Sequence, residues 1–256
     1  MQVRDIRVRG RRVRFRVAGH GSPVVLVHGL AGSWRWWAPC MPALAERHTV
    51  HAVDLPGSGD LREHRFDLAD APAFLEACLD AAGLESAALV GHSMGGVICA
   101  RLAARAPGRV TRLVLVAPAV DLRPSIAAWA LPLSRAAFEM SPHLASLLVA
   151  DALRTGPVGL ARAALDLLAD TSAGDGIAAV RAPTLVVWGE RDPLVPARGA
   201  AALGDRIPGA RVHLMPRTGH VPMVEAPGEF ARVVGEHLAG GGGGAPVPEP
   251  PPGPDH

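Results

Sequence analysis

The chain has 256 residues, 49% of them hydrophobic, and a formal net charge of +2. That length suits one α/β domain with a sizeable core; the charge is too small to imply nucleic-acid binding, and no apolar run approaches the ~20 residues that span a bilayer. Lysine is absent, which excludes a Walker A phosphate loop and a pyridoxal Schiff base, since both need its amine.

From Met1 to Val17, arginines alternate with Val, Ile and Phe, the period-2 pattern of a half-buried hairpin with a solvated, charged face. No continuous apolar h-region interrupts it, so no signal peptide is expected. Cys40, Cys78 and Cys99 lack C-x-x-C spacing and read as buried thiols of a cytoplasmic protein. Pro23 to Val27 is a continuous apolar run ending at His28-Gly29, as in a strand covered on both faces. A helix is expected from Trp34 to Arg47, then a strand over Thr49–Val53 leading into Asp54-Leu55-Pro56-Gly57-Ser58-Gly59. Asp67 is placed to cap a helix ending near Ala82, before Gly83. Strand 87–90 runs into Gly91-His92-Ser93-Met94-Gly95, followed by a helix over 96–106 and strands at Arg112–Ala117, Thr184–Trp188 and Val212–Met215. A closing helix is expected over Val224–Leu238. Strands alternating with helices predict an α/β fold with a mostly parallel sheet covered on both sides.

Residues 121–181 break the rhythm. They are rich in Ala, Leu and Pro and read as short helices around 125–138, 143–154 and 158–170. An insertion of that length is expected to be a helical lid on a core formed by 1–120 and 182–239. Residues 240–256, Gly- and Pro-rich, are expected to be a disordered tail.

The pentapeptide around Ser93 carries the chemistry. A serine at the apex of a strand–turn–helix is held in a strained backbone conformation with its hydroxyl exposed, and glycines two residues to either side permit the close approach of strand and helix. A serine hydroxyl needs a base, and the base an orienting carboxylate. Asp192 follows one late strand and His220 the next, at the strand ends where open α/β sheets place their sites. Asp121 and Glu190 are rival acids. His28 reads as a structural residue, and His48 with His51 as a spacing without further metal ligands. The Asp54–Gly59 segment reads as a structural turn, for it lacks a G-x-G-x-x-G pattern.

Together His28-Gly29-Leu30, Asp54–Gly59, Gly91–Gly96, Trp188-Gly189-Glu190-Arg191-Asp192 and Gly219-His220 give the chain, from about residue 10 to 239, a resemblance to the α/β-hydrolase family. The resemblance implies Ser93 as nucleophile, Asp192 as acid, His220 as base, and an oxyanion hole from the backbone N–H groups of Leu30 and Met94. It implies neither cofactor nor metal. Trp36, Trp129, Phe138 and Met140 are expected to line an apolar substrate pocket. The function expected is hydrolysis of small to medium hydrophobic carboxylic esters through an acyl-enzyme. Thioester, lactone or carbon–carbon bond hydrolysis, and a small-molecule receptor retaining the triad, are the alternatives. Carbon–carbon hydrolases of the family usually carry Asn where this chain has His92.

Overall fold

The structure, a computed structural model, describes residues 1–61, 67–120, 142–170, 174 and 176–240. The opening hairpin pairs β1 (Gln2–Val8) with β2 (Arg11–Ala18), antiparallel, with Asp5 opposite Arg14 and Arg7 opposite Arg12. Asp5 holds both Arg12 and Arg14, whose guanidinium groups pull its carboxyl down to about 2. Six more strands complete the sheet: β3 (Ser22–Val27), β4 (His48–Val53), β5 (Ala87–His92), β6 (Val110–Val116), β7 (Thr184–Gly189) and β8 (Arg211–Met215). Their spatial order is β1-β2-β4-β3-β5-β6-β7-β8, and every pair from β4 onward is parallel.

The central strands are apolar at successive positions because both faces are covered. Val25 and Val27 of β3 face one core with Leu89, Leu113, Leu115 and Val186, beside helices α2 (Ala71–Ala81) and α3 (Met94–Arg105). Val24 and Leu26 face the other with Val90, Val114, Val116 and Val187, beside α1 (Met41–Ala45) and the C-terminal helices. Cys40, Cys78 and Cys99 are free and buried in these layers, and burial pushes the Cys40 thiol up to about 12.

Several expected helices have other bounds. The segment expected as one helix from Trp34 to Arg47 is a 3-10 turn at Trp34–Trp36 followed by the short α1. Pro39 and Pro42 supply no N–H for a continuous ladder. Asp67 caps one turn early: its Oδ1 accepts from the N–H of Ala69 (2.9 Å), and α2 begins at Ala71. Helix α3 starts at Met94, directly after the serine. Between β6 and β7 lie α4 (Pro142–Thr155) and α5 (Pro157–Ala169); the helix expected around 125–138 and the tail from 241 lie outside the described residues. Then come α6 (Gly199–Arg206), α7 (Pro222–Glu225) and α8 (Pro227–Ala239), the closing helix being divided at Pro227. Among the described residues, no helix is long and apolar enough to cross a membrane.

Candidate active site

Parallel strands bring His28, Asp54, Ser93, Asp192 and His220 to one edge, because each follows a strand at its C-terminal end. Ser93 occupies the junction of β5 and α3 with φ 51° and ψ −116°, a conformation that non-glycine residues hold only when the surroundings impose it. Here its N–H donates to the Val116 carbonyl (2.9 Å), and its own carbonyl accepts from Gly96 (3.0 Å) and Ala119 (3.2 Å). A Cβ on Gly91 would collide with the Gly95 carbonyl, and one on Gly95 with the carbonyls of Val27 and His28. The flanking glycines are therefore contact requirements.

Asp192 uses both carboxylate oxygens. Oδ1 accepts from the N–H groups of Leu194 (2.8 Å) and Val195 (2.9 Å), closing a tight turn, while Oδ2 accepts from His220 Nδ1 at 2.7 Å. A carboxylate only accepts, so Nδ1 carries the imidazole proton and Nε2 is left with its lone pair. The His220 side chain is 13% exposed and that of Asp192 fully buried. Glu225 grips the backbone on both sides of the histidine, accepting from Gly219 N–H (2.6 Å) and Val221 N–H (3.1 Å). Of the rival acids, Glu190 is exposed and Asp121 lies outside the described residues.

His92 is buried beside this pair. Its Nε2–H donates to the His220 carbonyl at 2.8 Å, and the two rings lie 4.8 Å apart. Burial, with His220 adding to it, pushes His92 well below the ordinary histidine range, so the ring is neutral. His28 is equally enclosed: Nδ1–H donates to the Gly29 carbonyl (2.8 Å) and Nε2 accepts from Leu55 N–H (2.9 Å). Burial lowers its pKa too. It cross-links the loop after β3 to the loop after β4. Asp54 reinforces that link by accepting from Trp34 N–H at 2.7 Å. Gly29 lies against the ring of His92 and Cβ of Ser93, where a side chain would not fit.

Leu30 and Met94, expected to supply oxyanion N–H groups, are the residues after Gly29 and after Ser93. Met94 opens α3, so its N–H is one of the donors the helix leaves unpaired, at the positive end of the helix dipole. Of the expected pocket residues, Trp36 is buried, with its ring 5.5 Å from His92; Trp129, Phe138 and Met140 lie outside the described residues. Sequence reasoning passed over Asp151, a buried carboxylate of α4. Its Oδ2 accepts from Ser33 Oγ (2.7 Å) and Trp36 Nε1 (3.1 Å). An isolated acid in an apolar helix was its only signal. Among the described residues no group of His, Cys, Asp or Glu side chains could hold a metal ion.

A sheet of this order, with a serine at the turn after β5 and a His–Asp pair at the ends of β8 and β7, is the architecture of an α/β hydrolase. The alpha/beta hydrolase family model matches residues 24–233, and the chain belongs to that family. It is 33% identical to the dihydrolipoyllysine-residue acetyltransferase component of the acetoin cleaving system of Cupriavidus necator, over 91% of this chain and 68% of that protein. It is 32% identical to 2-hydroxymuconate semialdehyde hydrolase of Pseudomonas sp. strain CF600 (92% and 93% covered). With the pimeloyl-[acyl-carrier protein] methyl ester esterase of Aeromonas hydrophila it shares 29% identity (87% and 97% covered). The crystal structure of the enol-lactonase from Burkholderia xenovorans LB400 superposes with a TM-score of 0.80 at 21% identity, covering 91% of this chain and 98% of that one.

Proposed function

We propose that this protein is a serine hydrolase of small to medium hydrophobic carboxylic esters. The observation that carries the reading is the 2.7 Å bond from His220 Nδ1–H to Asp192, in a loop tied through His92 to the strained turn of Ser93. In the proposed reaction, Ser93 Oγ attacks the ester carbonyl while its proton passes to His220 Nε2. Asp192 stabilises the imidazolium that forms. The N–H groups of Leu30 and Met94 receive the developing oxyanion, a contribution of roughly 3–4 kcal/mol for each well-placed donor. His220 then protonates the leaving alkoxide. Water, deprotonated by the same ring, releases the acid from the acyl-enzyme.

Likeness to the methyl ester esterase over nearly its full length supports the ester. The segment 121–181 acts in this reading as a lid that sets acyl preference. Likeness to the semialdehyde hydrolase favours carbon–carbon bond hydrolysis as a second reading; His92, in place of the asparagine usual in such enzymes, weighs against it.

A fluorophosphonate probe should label the wild-type protein and leave Ser93→Ala unlabelled. Labelling that survives the substitution would sink the nucleophile. A panel of p-nitrophenyl esters from acetate to palmitate should show a maximum at short or medium chains. No turnover of any ester, beside turnover of 2-hydroxymuconate semialdehyde, would move the assignment to the second reading.

A further inference from the structure

Helix α4 is mostly Leu, Val and Ala between Leu144 and Leu153, and part of it faces solvent: Val149 is 58% and Leu153 77% exposed. Within it Asp151 is only 2% exposed. Burying a carboxylate is costly unless several donors replace its water. Three residues of one short segment do so: Ser33 Oγ–H and Trp36 Nε1–H donate to Oδ2, and Arg35 Nη1 lies 3.8 Å from Oδ1. Arg154, one turn along α4, adds a contact of 3.2 Å from Nη1. The bonds therefore run from α4 to the loop that follows the Gly29-Leu30 turn.

That loop does not end the connection. The Trp36 ring that donates to Asp151 also packs on His92 at 5.5 Å, and His92 in turn donates to the carbonyl of His220. We propose that Asp151 is a positioning residue of the active site: from α4 it holds the 33–36 segment in place, and through Trp36 and His92 it sets the seat of His220. The inference rests on the serine-hydrolase reading above. A second tie pins the same pair of helices to the elements that carry the reacting groups. Arg101 of α3, the helix that begins beside Ser93, donates to both carboxylate oxygens of Asp170, just past α5, at 2.7 Å each. Helix α4 is thus fastened to the 33–36 segment, and the end of α5 to α3.

Loss of the Asp151 carboxylate leaves the Ser33 hydroxyl and the Trp36 indole N–H without their acceptor and lets the 33–36 segment relax. A displacement of an ångström at a reacting group costs up to about a hundredfold in rate. The informative readouts are the second-order rate of fluorophosphonate labelling, kcat per labelled site on a p-nitrophenyl ester, and Tm, compared for wild type, Asp151→Ala, Trp36→Phe and the double variant. Each single substitution should slow labelling and lower kcat about tenfold or more, with KM changed much less. The double variant should be no slower than the slower single, since both break one chain of contacts. Val3→Ala, at an exposed site on β1 outside these contacts, should stay within about twofold.

A fall in Tm or in the labelled fraction with no change in labelling rate or kcat would overturn the proposal and leave Asp151 a structural tie. Additive losses in the double variant would overturn it too. If Asp151→Ala does not fold, Trp36→Phe and Ser33→Ala decide, and unchanged rates in both count against it. Labelling that persists in Ser93→Ala would remove the hydrolase reading and this inference together, whereas wild-type rates in Asp151→Ala and Trp36→Phe, with labelling abolished by Ser93→Ala, would remove the Asp151 role alone.

Discussion

Asp192 does two jobs at once, and its two oxygens separate them. Oδ1 closes the turn through Leu194 and Val195, and Oδ2 holds His220. Asparagine can keep its carbonyl oxygen on the turn, but it then presents an NH2 to Nδ1 and forces the other imidazole tautomer. Asp192→Asn should therefore lower kcat on ester substrates by about 10³–10⁴-fold, with Tm close to wild type. Asp192→Ala should lose the turn as well, costing about 1–2 kcal/mol in urea unfolding. An Asp192→Asn enzyme of near-normal kcat would transfer the acid's role elsewhere, and Asp121→Asn is the comparison to make beside it. In the sequence Asp192 is visible as an acid past a strand end; that its Oδ1 also closes the turn through Leu194 and Val195, leaving Oδ2 to His220, is seen only in the packed structure.

At the scale of elements, glycines distinguish pattern from packing. Gly95→Ala would drive a methyl group into the carbonyls of Val27 and His28, which belong to a buried strand and its turn and cannot yield. We expect a loss of at least about 1–3 kcal/mol, the usual range for overpacking, together with loss of labelling at Ser93. Gly235 lies in the middle of α8 with open space around its position, so Gly235→Ala should stabilise the protein by about 0.8–1 kcal/mol through helix propensity. Thermal unfolding of the two variants would show opposite shifts. The role of Gly95 was legible in the sequence because the turn around Ser93 is a local construction. That Gly235 has no neighbour is a property of tertiary packing. The helix expected from Trp34 to Arg47 shows the converse failure. Its apolar residues fit a helix, yet the loop is held by Asp54 and Asp151, which lie 20 residues from Trp34 and 115 from Trp36 in the chain.

For the molecule as a whole, buried neutral histidines tie stability to pH. His237 accepts from Arg211 through Nδ1 and donates from Nε2 to the Pro183 carbonyl. Burial, helped by Arg112 and Arg211, pulls its pKa down to about 4. Burial acts in the same direction on His28, His48, His51 and His92. Between about 4 and the ordinary value near 6.5, the unfolded chain binds protons that the folded chain does not. Stability is then fully present above about pH 6.5 and falls as the pH drops through that window. The urea midpoint should decrease from about pH 7 to about pH 5, and His237→Gln, which cannot titrate, should show a shallower decrease. A pH profile identical to wild type would deny His237 any part in it.

What the sequence determined by itself was local or nearly so. Continuous apolar runs marked the buried strands, because a strand covered on both faces has no polar side to show. The turn around Ser93 was marked by glycines whose absence of side chain is needed within a few residues. The expectation that Ser93, Asp192 and His220 share one edge followed from finding each just past a strand end. Tertiary structure alone decided the strand order, which lays β4 beside β2 and β3. It also decided which oxygen of Asp192 meets His220, and the path from Asp151 through Trp36 and His92. Those contacts join residues far apart in the chain. Their energies depend on the desolvation and geometry of the packed state, which no run of neighbouring residues records.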